Sequence, residues 1–161
     1  MLRTARFTTL VVSLLALTAA ATPAHAKWPP WLSIEAPLNP FDDSLRGAIC
    51  LVHAVTREGP PDITALSGTA EGLVGGMRRS IPLKLDATSS PGVFAVRKQW
   101  PSGGAWVLKI SLLSTTAIVA LDRSDNVTSV RIPATVAEGR PIPRAVTPRD
   151  IDSTLSVASS H

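Results

Sequence analysis

The side chains best suited to metal binding or nucleophilic chemistry are few: Cys50, His53, Met77 and His161, with Met1 and His25 lying in a segment expected to be removed. A copper site gathers Met, His and Cys in one place. Cys50 and His53 stand three apart in a run that reads as a strand, so alternation sends them to opposite faces. His53 then shares its face with Ile49, Leu51 and Val55, the setting of a hydrogen-bonded, partly buried histidine. Cys50, beside Ala48 and Val52, reads as a small core hydrophobe. Asp122 and Asp125 fall in a short loop without the Asp-x-Asp-x-Asp-Gly spacing of a calcium loop. No metal ligand and no cofactor-binding residue is expected.

The same holds for catalysis. The chain has no nucleophile elbow, no HExxH and no CxxC. Gly72-Leu73-Val74-Gly75-Gly76 is glycine-rich, but it leads into a strand and so lacks the helix N-terminus of a phosphate cradle. Glu35, Glu58 and Glu71 could serve as glycosidase carboxylates only if two of them stood about 5 to 10 Å apart, and nothing in their spacing brings any two together. No catalytic residue is expected, and the chain reads as non-enzymatic. Of the tryptophans, Trp106 reads as the inter-sheet core residue and Trp100 as a cap on that core. Trp28 and Trp31 flank two prolines in an arm expected to fold back onto its own domain, the alternative being an exposed recognition segment. Asn126-Val127-Thr128 matches a glycosylation sequon by pattern.

Residues 1–26 carry an export address. Arg3 and Arg6 form a positive start, Phe7 to Ala21 an apolar run, and Ala24-His25-Ala26 a cleavage site before Lys27. Cleavage is expected rather than anchoring, because the run is short and rich in Thr and Ala for a span of about 30 Å. Its removal leaves 135 residues, the size of one domain, and lowers the formal charge from +4 to +2. The remaining basic residues come in scattered pairs, Arg78-Arg79 and Arg97-Lys98, without the basic stripe and interleaved aromatics of a nucleic-acid module. A single cysteine permits no internal disulfide, so packing must hold the domain.

Stepping along the chain, strands are predicted at Trp31 to Ala36, Gly47 to Thr56, Thr64 to Val74, Met77 to Asp86, Val93 to Trp100, Ala105 to Leu113, Thr116 to Leu121 and Val127 to Ile132. Gly75-Gly76 suits a primed hairpin turn, Pro82 marks an edge strand, and the runs at Val93 and Ala105 are expected to pair. Trp106, Leu108, Ile110 and Leu112 alternate inward against Val107, Lys109 and Ser111. Connections this short exclude crossover helices, so the sheets are antiparallel. Only the end differs: Thr147-Pro148-Arg149-Asp150 is a helix start, with Ile151, Leu155 and Ala158 at helical spacing. The expected architecture is an all-β antiparallel sandwich of seven to eight strands over residues 27–140, with a short helix in a 141–161 tail.

The segments Gly92-Val93-Phe94-Ala95-Val96 and Trp100-Pro101-Ser102-Gly103-Gly104-Ala105-Trp106-Val107-Leu108-Lys109-Ile110 resemble the late strands of the YtkA-like and FixH-like exported domains, with their G-x-aromatic and P-x-x-G-x-W-x-L-x-I pattern. The resemblance implies an immunoglobulin-like sandwich in the cell envelope. It also implies a neighbourhood of copper handling and oxidase assembly, without one shared activity. The expectation for function is an exported binding or structural module, periplasmic or secreted, with another envelope protein or a surface polymer as partner, no nucleic acid and no stable membrane span after cleavage. The alternative is an accessory metallochaperone-like domain.

Overall fold

The computed structural model describes residues 29–159; the segment expected to be an export signal, Trp28 and His161 lie outside them. Among the described residues the fold is mostly β, with eleven strands in antiparallel sheets and one short C-terminal helix. A four-stranded sheet has the order β1 (Trp31–Glu35), β2 (Ala48–Val55), β6 (Val93–Arg97), β5 (Leu85–Ala87). A five-stranded sheet has the order β4 (Met77–Pro82), β3 (Leu66–Val74), β7 (Ala105–Leu112), β8 (Thr115–Leu121), β9 (Val127–Arg131). A separate ribbon of β10 (Ala134–Ala137) and β11 (Arg140–Pro143) follows, then helix α1 (Pro148–Ser159).

The core lies between the two sheets and is built by alternation. Leu32, Cys50, Val52, Phe94 and Val96 come from one sheet and meet Trp106, Leu108, Ile110, Val119 and Leu121 from the other. Small residues on β3 make room for large ones on β7: Gly72 faces Trp106, Ala70 faces Leu108 and Gly68 faces Ile110. A Cβ at Gly72 would stand inside the Trp106 ring, so only glycine lets that indole lie flat on the sheet. Trp100 caps the cluster with its ring centroid 6.3 Å from that of Trp106, as the sequence suggested.

The Gly75-Gly76 turn has φ of +57° and +78°, the mirror-image geometry that closes the β3–β4 hairpin at Val74 and Met77. Pro82 ends β4 on the edge of its sheet. Three expectations need correction. The run Met77 to Asp86 is not one strand: after Pro82 the chain leaves the five-stranded sheet and enters the four-stranded one as β5. The Val93 and Ala105 strands do not pair; β6 joins β2 and β5, whereas β7 joins β3 and β8. Val107 does not face water, because α1 covers that side of β7 with Ile151 and Leu155 against Val107 and Ile118. Beyond the last of the expected strands the chain also forms β10 and β11, and β11 runs into the segment read as a tail over 141–161.

The helix starts as its sequence dictates. Thr147 and Asp150 form a reciprocal cap: the Asp150 amide donates to Thr147 Oγ1 at 3.3 Å, while the Thr147 amide donates to Asp150 Oδ2 at 2.8 Å. Arg144 grips the same carboxylate with two bonds of 2.7 Å, which with the Thr147 donors holds Asp150 well below the usual carboxylate range.

Candidate functional site

The two ends of the sandwich differ in character. At one end lie the start of β1, the end of β2, the start of β3 and the β7–β8 turn, as the register pairs Trp31 with Val55 and Leu66 with Leu112. Thr115 Oγ1 donates to the Pro30 carbonyl at 2.7 Å and ties the two sheets together there. The large apolar side chains left open at this end are Trp31 at 66 % exposure, Leu113 at 68 %, Val55 and Ile63. Trp31 and Val55 are direct cross-strand partners on the face turned away from the core, and β1 is a free edge. A tryptophan needs a buried setting to realise its large apolar area, and Trp100 and Trp106 have one. Trp31 does not, although the Pro30 carbonyl just before it is bonded to Thr115; Trp28 lies outside the described residues.

At the opposite end, the 36–49 connection and the β8–β9 turn enclose an open cleft of about 470 Å³. Its polar groups are already engaged. Asp42 accepts from the Ser44 amide at 2.9 Å and hydroxyl at 2.6 Å, and Asp43 pairs with Arg46. Asp125 accepts from Lys98 at 2.6 Å and from the Trp100 indole at 2.7 Å. Asp122 accepts from the Asn126 side chain at 3.0 Å, from the Asn126 amide at 2.9 Å and from the Ser124 amide at 2.8 Å, and these bonds hold it below the usual carboxylate range. The carboxylates brace two loops. Asn126, the sequon residue, is one of the braces.

The metal-ligating types remain apart. Cys50 is fully buried and its thiol is pushed up to about 12 by that burial, so it is protonated and inert at neutral pH. His53 sits on the other face of β2 and bonds Glu35 Oε2 at 2.7 Å across the sheet. Met77 stands at the β3–β4 turn in the other sheet. Among the described residues no three His, Cys, Asp or Glu side chains converge to hold a metal ion. The three glutamates are likewise separated: Glu35 is on β1, Glu71 is on β3 with Ser80 and Arg78, and Glu58 lies in the turn after β2.

Sequence reasoning missed Leu113 and Ile63, and the signal for Leu113 was faint: it follows an alternating run and holds φ at +51°, a turn geometry a leucine seldom adopts. No family model, curated protein or solved structure matches this chain.

Proposed function

We propose that this chain is an exported, non-enzymatic immunoglobulin-like module of the bacterial cell envelope that binds another envelope protein through the apolar end of its sandwich. The observation that carries this reading is Trp31, two-thirds exposed beside Val55 on a strand whose outer edge is open. An aromatic anchor next to an open strand edge is the arrangement by which a sheet recruits an extended segment: main-chain bonds supply affinity and the ring supplies specificity. Residues 1–26 supply the route to the envelope, and the resemblance to YtkA-like and FixH-like domains supports both location and fold family.

The partner expected is a protein that presents an extended strand with an apolar side chain in position to cover Trp31. Replacing Trp31 with alanine should abolish its recovery in chemical crosslinking of intact cells while leaving the domain folded. Recovery of the same crosslinked species from Trp31→Ala as from wild type would refute the reading. The metallochaperone alternative draws on the resemblance alone, since Cys50 and His53 lie on opposite faces of β2.

A further inference from the structure

The β10–β11 ribbon is the least supported element of the fold. Its register pairs Ala134 with Pro143 and Val136 with Pro141 on one face, and Thr135 with Ile142 and Ala137 with Arg140 on the other. Seven of its eight residues are exposed, Val136 at 77 % and Ile142 at 47 %. A two-stranded ribbon is marginal in water on its own, and this one holds a large apolar side chain open on each face, Val136 on one and Ile142 on the other. β9 runs back along β8 and so delivers this ribbon toward the end of the sandwich that holds the β7–β8 turn.

Three features restrict what could cover it. A flat protein partner would bury one face, either Val136 or Ile142, and leave the other in water. A surrounding apolar medium takes both. Pro141 and Pro143 have no amide donor, which lowers the cost of moving the edge of β11 out of water. The charges around the ribbon are mainly positive. Arg131 precedes it, Arg140 lies at its turn and Arg149 opens α1. None of the three has a carboxylate partner among the described residues, whereas Arg144 is held by Asp150. Glu138, at the turn, is the one acidic residue of the ribbon. Long arginine side chains can keep their heads at lipid phosphates while apolar neighbours sink below them.

We infer that the β10–β11 ribbon inserts edgewise into the interface of an anionic phospholipid bilayer, with Val136 and Ile142 immersed from opposite faces and Arg131, Arg140 and Arg149 at the headgroups. This is peripheral attachment, separate from the protein contact at Trp31. It requires both faces of the ribbon, which neither a flat docking surface nor a purely electrostatic contact does.

The test is co-sedimentation of the purified protein with vesicles of phosphatidylcholine alone and of equimolar phosphatidylglycerol and phosphatidylcholine. All variants carry the same N-terminus, so differences report the ribbon. Wild type should partition onto the anionic vesicles and far less onto the neutral ones. Val136→Asp and Ile142→Asp should each weaken that partitioning by about tenfold, and Arg140→Gln by about fivefold. Met77→Asp, an equally large change at an exposed apolar residue of the opposite end, should leave it within about twofold. Val136→Ser, with an unchanged melting midpoint, guards against loss of fold. Absence of wild-type binding, equal binding to neutral and anionic vesicles, or loss on only one face of the ribbon would overturn the inference. The last outcome would mean that the ribbon lies flat on the bilayer by one face instead of entering edgewise. Binding unaffected at Val136 and Ile142 but abolished in Arg140→Gln would point to an acidic polymer.

Discussion

The outer faces of the two sheets received opposite treatment from the same chain. The five-stranded sheet is covered by α1, which lays Ile151 and Leu155 on Val107 and Ile118, buries Ala158 and is fastened by the Arg78–Asp152 ion pair and the Asp150 cap. The four-stranded sheet has no such cover, and Trp31 and Val55 stand open on it. Where the fold needs burial, the sequence supplies a capped helix with an apolar stripe. On the other face Leu51 and Ala95 are buried, but Trp31 and Val55 stay exposed side by side at one end, the pattern of a small surface kept for another molecule.

That contrast can be broken in graded steps. Trp106→Ala removes the largest buried side chain between the sheets and should cost about 3 to 5 kcal/mol, read as a lowered denaturant midpoint. An unchanged midpoint would mean that the β3–β7 register is wrong. Leu155→Ala, on the covered face, should cost about 2 to 3 kcal/mol, and removal of residues 145–161 should lower the melting midpoint further by baring Val107 and Ile118.

The helix cap gives the contrast a pH signature. The carboxyl of Asp150 is held below its unfolded value, so its contribution is present above the ordinary carboxylate range and is lost as pH falls below about 4. Asp150→Asn should therefore melt below wild type at neutral pH, and the gap should narrow on acidification beneath that value. A gap that stays constant down to strongly acidic pH would show that the carboxylate charge is not what holds the helix start. Cys50, with its thiol pushed up to about 12, should resist alkylation until the domain unfolds. The smallest expected stability effect is at Trp31, where alanine should change the midpoint by about 0.5 kcal/mol or less, in contrast to Trp106.

The local chemistry of this fold was legible and its sheet assignment was not. Gly75-Gly76 announced a hairpin because two successive positive φ angles need such residues, and Thr147-Pro148-Arg149-Asp150 announced a helix because each residue fills a defined cap position. The alternation of Ile81, Leu83 and Leu85 suggested one strand, yet the chain crosses between sheets there: the Leu83 amide still donates to Gly68 of β3, whereas Leu85 pairs with Val96 in the other sheet. Alternation reports which way side chains point and carries no information on which sheet receives them. The Glu138-Gly139 turn, at +52° and +74°, repeats the primed pattern, but it is followed by Pro141 and Pro143, residues that strands seldom hold, and so it gave no hairpin signal. For the candidate site, the opposite faces of Cys50 and His53 followed from strand period alone, whereas the exposure of Trp31 depended on β1 being an edge, a fact of topology.

The central claim is that the open apolar end carries the partner. A photo-crosslinking amino acid placed at position 31 in cells, with a second chain carrying it at position 77, tests this most directly. Met77 is 60 % exposed and sits at the far end of the sandwich, so it reports non-specific capture. One discrete crosslinked protein from position 31 and none from position 77 is the result expected. The same products from both positions, or products from position 77 alone, would contradict the claim.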